Sequence, residues 1–206
     1  MSIWFVPRDA AARSMGADAV ANALEARGES VIRNGSRGML WMEPLVERAD
    51  ERHGPRVGWA NVTAGQIDAG LPNEQADNFI GVVEEFDYLA RQNRWIYERV
   101  GITDPVDPED YVAHGGLTGL KNALAMSGSD VVQAVTDSGL RGRGGAGFPA
   151  GIKWRTVADQ APAPHAGESQ NAPAHKYICV NADEGDSGTF ADRMLMEGDP
   201  FCLLEG

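Results

Sequence analysis

Cysteines, cationic side chains and long apolar runs are all scarce in this chain of 206 residues. The two cysteines, Cys179 and Cys202, form no CxxC pair, which argues against a zinc site or a disulfide framework. Lysine and arginine total 18 against 30 acidic residues, giving a net charge of −12, and such a chain is poorly suited to binding nucleic acid. The apolar runs fall short of the roughly 18 residues that a spanning helix needs. We therefore expect neither nucleic-acid binding nor membrane insertion.

The N-terminus lacks the features of a secretion signal, since it reads MSIWFVPRDAAARS with no basic start and no long apolar stretch. We therefore expect a cytoplasmic location. The chain does contain 43% apolar residues, enough for a packed core, and its length suits one large domain or two small ones.

Residues 1–70 alternate between strand-like and helix-like patterns. Residues 17–27 carry a helical pattern that Gly28 ends. Strand-like runs lie at 2–7, 30–33, 39–43 and 57–62. This order predicts a small α/β domain.

Residues 71–108 are predicted to form a helical linker. Apolar residues recur at near-helical spacing from Phe79 to Val100, Asn73 is a suitable N-cap, and Gly101 follows the pattern. The sequence DPVDP at 104–108 then forms a stiff connector.

Residues 109–206 are predicted to form a third segment with short helices at 109–113, 116–126 and 129–137, the last capped by Ser129. Residues 156–175 have loop composition, and KYICVN at 176–181 reads as a buried strand.

Glycine and positive charge concentrate at residues 139–155, which read GLRGRGGAGFPAGIKWR and contain six glycines, four cations and no acid. Glycine allows the backbone to approach a ligand closely and to point its N–H groups at phosphate. Phe148 and Trp154 offer flat faces for an aromatic ring. The stretch therefore predicts a nucleotide cradle, and the alternative is a flexible surface loop.

The same stretch matches GxGxxG at Gly142, Gly144 and Gly147. In an ordinary Rossmann dehydrogenase this motif follows a strand and opens a helix. Here the preceding residues 130–135 have a helical pattern and Pro149 follows closely, so the context disfavours that interpretation.

Polar side chains follow the strand predicted at 176–181. Asn181, Asp183 and Glu184 would lie at its carboxyl end, where open α/β sheets bind ligands, and they can accept hydrogen bonds from ribose hydroxyls or ring N–H groups. The alternatives are a metal site, disfavoured because no histidine is near in sequence, or a solvated turn.

The segments GLRGRGGAGFPAGIKW and VNADEGDSGTFADRMLMEGDP closely resemble the paired signatures of the NADH-oxidising, FMN-binding flavoprotein subunit, the complex I 51 kDa type. That family occurs in complex I, in NAD-reducing hydrogenases and in NAD-dependent formate dehydrogenases. The resemblance covers residues 109–206 and implies the first part of a Rossmann-like FMN-binding domain.

The resemblance implies FMN and NAD as cofactors and assigns their binding residues by position. The residues implied to bind them are Gly142, Arg143, Gly144, Gly145, Gly147, Phe148, Lys153, Asn181, Asp183, Glu184 and Asp186. Phe148 resembles the aromatic residue that stacks against NADH. Asp186 stands where the family commonly has glutamate, and Ser187 stands where it commonly has proline.

The resemblance also implies a thioredoxin-like domain at residues 1–70. In relatives this domain carries a [2Fe–2S] cluster, whose cysteines would align with Pro7, Ala12, Ser36 and Leu40. None of these residues supplies a thiolate, which predicts a docking module without a cluster. A fused domain of this kind favours the β subunit of an NAD-dependent formate dehydrogenase. The alternatives are a hydrogenase or complex I subunit and a non-catalytic assembly module.

The implied activity is hydride transfer between NAD(H) and FMN, with electrons passed to or from iron–sulfur clusters. The expected partners are a molybdenum-containing catalytic subunit and a small [2Fe–2S] subunit. Family members continue well beyond the position of Gly206, so we expect the chain to be a portion of a longer polypeptide, with the [4Fe–4S] site in the missing part.

Overall fold

The computed structural model describes residues 2–160, 176–186 and 188–206. It divides into two compact units. Unit 1 comprises Met1–Gly116 and Glu184–Gly206, and unit 2 comprises Leu117–Asp183. Each unit is described by itself below.

Unit 1 contains a mixed sheet of five strands in the order β2-β1-β3-β4-β5. β1 pairs with β2 in parallel, and the remaining neighbours are antiparallel. The strands are β1 (Ile3–Phe5), β2 (Ser30–Ile32), β3 (Val46–Ala49), β4 (Val57–Trp59) and β5 (Phe79–Val82). The predicted α/β class is therefore confirmed, as are the strands predicted near 2–7, 30–33 and 57–62.

Helices connect these strands, and two of them begin at residues whose side chains cap the helix N-terminus. α1 (Ala10–Ser14) and α2 (Ala17–Ala26) join β1 to β2, and the Asp9 side chain caps α1 by accepting from the amides of Ala11 and Ala12. α3 (Ala64–Ala69) follows β4 and begins with a capping box between Thr63 and Gln66. The helix predicted at 17–27 is thus confirmed.

The core of unit 1 lies against this sheet. Trp4, Leu24, Trp59 and Ile67 are fully buried in one apolar cluster. A second cluster contains Met39, Leu45, Val83 and Leu89. Large apolar side chains buried in this way each contribute roughly 1.5–3 kcal/mol relative to their exposed state.

A buried ion network lies in the same unit. Glu47 on β3 is fully buried and accepts two hydrogen bonds from the Arg37 guanidinium, each at 2.8 Å, and one from Arg56 at 3.2 Å. Burial alone would raise the pKa of the Glu47 carboxyl, but the two guanidinium groups lower it. All three groups therefore stay charged, as a buried ion pair requires.

The helical linker predicted at 71–108 is wrong as secondary structure. Residues 79–82 form β5, a 3₁₀ turn spans Val83–Glu85, and α4 is short (Asp87–Ala90). Gly81 has φ of 81°, which a right-handed helix does not allow. Of the apolar residues with helical spacing, Val83, Phe86 and Leu89 pack in the second core cluster, and Phe79 packs against the first.

Two further details of unit 1 differ from prediction. Residues 39–43 contain a 3₁₀ turn at Leu40–Met42 rather than a strand. β3 was not predicted. Its charged residues Glu47 and Arg48 break the apolar pattern typical of a buried strand, although most of the strand is buried.

The helices predicted after residue 108 are confirmed. They are α5 (Pro108–Ala113), α6 (Thr118–Leu124) and α7 (Gly128–Asp137). Ser127 caps α7 through the amide of Asp130, so the prediction of Ser129 as the cap is wrong. α8 (Ala150–Asp159) lies in unit 2, and α9 (Ala191–Gly198) and α10 (Pro200–Glu205) lie in unit 1. None of the helices in the described ranges is long and apolar enough to span a bilayer.

Candidate functional site

The glycine-rich stretch folds into a closed hairpin between α7 and α8. The Gly142 amide donates to the Phe148 carbonyl at 2.8 Å, and the Ala150 amide donates to the Leu140 carbonyl at 2.8 Å. The Arg141 side chain donates to the Gly147 carbonyl at 2.8 Å. These bonds fix the base of the hairpin and leave residues 143–147 as its exposed tip.

Glycine is required at the tip by backbone geometry. Gly145 and Gly147 have φ of 95° and 61°, a region that other residues enter at a cost. Gly144 has no such φ, and a Cβ built there would meet no atom within 4 Å. The protein itself therefore leaves open space beside the Gly144 backbone, as close approach by a ligand demands.

The hairpin leads directly into the N-terminus of α8. Pro149 precedes this ten-residue helix and supplies no side-chain cap. The Ala150 amide is bonded to Leu140, which leaves the later amides of the first turn to meet an acceptor. Lys153 lies at the end of that turn, with its Nζ 5.7 Å from the centre of the Phe148 ring. A free helix N-terminus beside a lysine and a glycine tip forms a set of donors suited to phosphate.

The other cations of the stretch have protein partners. Arg155 donates to the Gln133 side chain on α7 at 3.1 Å, and Arg141 is bonded to Gly147. Arg143 is exposed at the tip. Arg143 and Lys153 are therefore the two cations best placed to meet an anion.

The interpretation as an ordinary Rossmann dinucleotide site is wrong. α7 precedes the glycines where that motif needs a strand. Within the described part of residues 109–206 the elements are helices, with one isolated bridge between Arg141 and Pro149.

The buried strand predicted at 176–181 is also wrong in the structure. These residues are exposed, Ile178 to 95%, and the described residues of unit 2 offer no strand to pair with them. An apolar run indicates a need for burial, but a strand also needs a neighbour for its backbone hydrogen bonds. Lys176 attaches this segment to α8 through the carbonyls of Val157 and Ala158. The loop predicted at 156–175 is wrong at 156–159, which belong to α8, and its residues 161–175 lie outside the described residues.

The acidic residues are divided between the two units. Asn181 and Asp183 belong to unit 2, where the Asn181 side chain accepts from the Asp183 amide at 2.8 Å. Glu184 and Asp186 belong to unit 1. Glu184 Oε1 accepts from the Asp192 amide at 3.0 Å and so caps α9, while the Asp186 carbonyl accepts from Thr189.

Side chains distant in sequence hold this part of unit 1. Tyr97 donates to the Ala191 carbonyl at 3.1 Å, and Arg99 donates to Asp199 at 2.9 Å. Neither contact is predictable from the sequence, because partners about a hundred positions apart leave no local signal.

Of the positions aligned with cluster cysteines, Ala12 lies in the first core cluster. Pro7, Ala12 and Ser36 are buried and Leu40 is half-buried. The Ser36 hydroxyl donates to the buried Glu43 carboxylate at 2.6 Å. Among the residues that the structure describes, no group of three or more His, Cys, Asp or Glu side chains is arranged to hold a metal ion.

Residues 135–206 match the family model described as the Nuo51 FMN-binding domain. The matched residues include the hairpin and α8, so the C-terminal part is similar to an FMN-binding domain. The resemblance to the complex I 51 kDa type is thereby confirmed over residues 135–206.

Curated relatives agree with this assignment. The F 2 subunit of NADH-quinone oxidoreductase from Rhizobium meliloti is 47% identical over 97 residues, covering 47% of this chain and 20% of the relative. The HndC subunit of NADP-reducing hydrogenase from Solidesulfovibrio fructosivorans is 43% identical over 115 residues, covering 56% and 21%. The F subunit of NADH-quinone oxidoreductase from Escherichia coli is 41% identical over 103 residues, covering 50% and 21%. The chain thus spans about one fifth of the length of these relatives.

A solved structure of NAD+-reducing [NiFe]-hydrogenase in the H2-reduced state aligns over 97% of this chain and 33% of the other, with 24% identity and a TM-score of 0.34. That score is too low to support an argument about the fold. At the level of the family, the model match supports the predicted FMN and NAD cofactors, whereas a particular closeness to formate dehydrogenase is not shown.

Proposed function

We propose that this chain carries part of the FMN and NAD(H) site of a diaphorase, a flavoprotein subunit that exchanges hydride between NAD(H) and FMN. The observation that carries the proposal is the glycine hairpin opening directly onto the uncapped start of α8, within the residues that match the FMN-binding family.

The donor chemistry of the hairpin fits a phosphate group. The tip Arg143–Gly147 presents main-chain amides with open space at Gly144, and Lys153 adds charge at the helix N-terminus. Gly142, Arg143, Gly144, Gly145, Gly147 and Lys153 are proposed to hold the flavin phosphate. Phe148 is 45% exposed and is proposed to stack on the nicotinamide.

The acidic residues are proposed to bind the same cofactors, as the family resemblance implies. Asn181, Asp183 and Glu184 would accept hydrogen bonds from the flavin, and Asp186 from a ribose of NADH. When bound, FMN supplies the capacity to take an electron pair from NADH and to release electrons singly. The chain's own part is to bind and orient the two rings, since proximity alone can account for several kcal/mol of a barrier.

The identity of the whole enzyme is a finer proposal. Electrons would pass to or from iron–sulfur clusters, with the [4Fe–4S] cluster outside these residues. The relatives named above are quinone oxidoreductase and hydrogenase subunits, which supports a diaphorase of either assembly. The formate dehydrogenase β subunit, with a molybdenum-containing partner and a small [2Fe–2S] subunit, stays a prediction, and so does a cytoplasmic location.

A thioredoxin-like N-terminal domain is likewise proposed for residues 1–70. A connecting segment at 71–108 would follow it, and the beginning of a Rossmann-like FMN-binding domain would lie at 109–206. The support for the first is the βαβ unit of β1 and β2, followed by antiparallel β3 and β4 and then α3. Without cluster ligands, this domain would serve for docking to partner subunits.

Gly144→Val tests the proposed site in the full-length protein within its complex. Because a Cβ at Gly144 meets no protein atom within 4 Å, the fold should persist while the new side chain blocks approach of the phosphate. We expect FMN affinity to fall by about tenfold or more, measured by flavin fluorescence after denaturation and by NADH-dependent ferricyanide reduction.

Gly128→Val is the matched control, because Gly128 also has open space and lies at the start of α7. It should leave flavin content unchanged. Normal flavin content in Gly144→Val would contradict the assigned phosphate site. A wild-type complex without FMN would instead favour the non-catalytic assembly module.

A further inference from the structure

The start of α9 is held by Glu184, a residue that the proposed function places at the flavin. Its Oε1 accepts from the Asp192 amide at 3.0 Å, and the N-cap residue Phe190 makes no side-chain capping bond. A carboxylate at a helix N-terminus is stabilised by the hydrogen bond and by the helix dipole. The capping bond therefore fixes where the Glu184 carboxylate lies, and the carboxylate still has Oε2 to accept from a ligand.

The backbone at this point needs support from outside the helix. Phe190 has φ of 53°, a left-handed conformation that costs energy for an aromatic residue and persists where the surroundings impose it. The first turn of α9 is therefore set by tertiary contacts rather than by local preference.

Tyr97 provides such a contact. Its hydroxyl donates to the carbonyl of Ala191, the first residue of α9, at 3.1 Å. Burial raises the pKa of the Tyr97 phenol, and the negative charges of Asp192 and Glu184 raise it further. The phenol therefore stays protonated and remains a donor at physiological pH.

The rest of segment 184–206 is anchored independently of Tyr97. Glu197 Oε2 accepts from the Ala10 amide at 2.8 Å, Arg99 binds the buried Asp199 at 2.9 Å, and Tyr111 donates to Glu205. Loss of the Tyr97 hydroxyl should thus loosen the end of α9 nearest Glu184 without releasing the segment.

We propose that Tyr97 is a positioning residue for the flavin site, acting through the Ala191 carbonyl and the first turn of α9 to orient the Glu184 carboxylate. This rests on the proposed function, in which Glu184 contacts FMN. It gives the N-terminal part of the chain a role in cofactor binding, since Tyr97 lies outside the residues that match the FMN-binding family.

Tyr97→Phe in the full-length complex tests the proposal by removing one hydroxyl. We expect FMN affinity to fall about 3- to 10-fold, the usual range for one hydrogen bond, with the thermal unfolding midpoint nearly unchanged. Tyr88→Phe is the matched control, because Tyr88 is a 42% exposed tyrosine of the same unit. It should leave FMN affinity unaltered.

A double-mutant cycle with Glu184→Gln separates positioning from a general structural role. If Tyr97 acts through Glu184, Tyr97→Phe should weaken FMN binding less than about twofold once Glu184 has been replaced. Independent effects that multiply would overturn the proposal, as would unchanged FMN affinity in Tyr97→Phe alone. Neither result would remove FMN from the wild-type complex, so the proposed function is tested separately.

Discussion

Unit 1 buries a continuous apolar core, whereas unit 2 leaves most of its apolar side chains exposed. In unit 1, Trp4, Leu24 and Trp59 are at most 1% exposed. Among the described residues of unit 2, Val132 and Gly151 are the buried ones, while Leu124 is 77% exposed and Val157 is 56% exposed. Burial of apolar area is the main favourable term in folding.

The difference indicates where the stability of the chain resides. Unit 1 is stabilised by its sheet, its two apolar core clusters and its buried ion network. In unit 2 the buried residues of the described part, Val132 and Gly151, lie on α7 and α8, which flank the glycine hairpin. The conformation of unit 2 should accordingly depend more on what it binds, because a ligand that binds the folded state stabilises it.

Trp59→Ala should produce the largest effect. The Trp59 ring is fully buried and lies 5.6 Å from Trp4 and 5.4 Å from Phe79, measured between ring centres. Removing it leaves a cavity at the centre of the first cluster, for which we expect a loss of about 3–5 kcal/mol in denaturant unfolding.

Trp95→Ala provides the control for that change, because Trp95 is 78% exposed. It should alter the free energy of unfolding by less than about 0.5 kcal/mol. Equal effects of the two substitutions would show that the core assigned to unit 1 does not dominate its stability.

Particular residues show how far the sequence determined these conclusions. α2 and α7 are predictable because capping residues and apolar spacing act within a few positions. The concentration of glycine and charge at 139–155 predicts a ligand-binding loop, but not its closure into a hairpin by the bonds of Gly142 and Ala150. β5 is not predictable, since Phe79–Val82 becomes a strand only by pairing with β4. The contact of Tyr97 with Ala191 is equally hidden, because tertiary packing alone brings the two together.

The pH dependence of stability tests a second buried group of unit 1. Burial raises the pKa of the Glu43 carboxyl to about 7. The hydrogen bonds from Ser36 and the Leu45 amide lower this pKa, but their effect is smaller. Between the unfolded value of about 4.5 and about 7, the folded state binds more protons than the unfolded state. Stability from this group is therefore fully present below about pH 4.5 and is lost as the pH rises to 7.

Glu43→Gln should remove this dependence. The difference in unfolding free energy between wild type and variant should change by about 2–3 kcal/mol from pH 5 to pH 8, with the wild type favoured at the lower pH. The comparison across pH cancels any constant cost of the substitution. A difference that stays constant would mean that Glu43 is ionised throughout.

Gly151→Ala should give a smaller and local effect in unit 2. A Cβ at Gly151 would lie 2.6 Å from the Thr136 Cα and would also collide with the Thr136 hydroxyl, so α7 and α8 must move apart. Overpacking of this kind costs about 1–3 kcal/mol, partly offset by the roughly 1 kcal/mol by which alanine favours a helix over glycine.

Amide hydrogen exchange measures the result, because exchange reports the local free energy of opening. A net loss of about 1.4 kcal/mol would accelerate exchange in α7 and α8 about tenfold. Gly128→Ala, at a position where a Cβ meets no atom within 4 Å, should not accelerate it. If Gly151→Ala instead slowed exchange, the gain in helix propensity would outweigh the clash, and the contact between α7 and α8 could not be what holds unit 2 together.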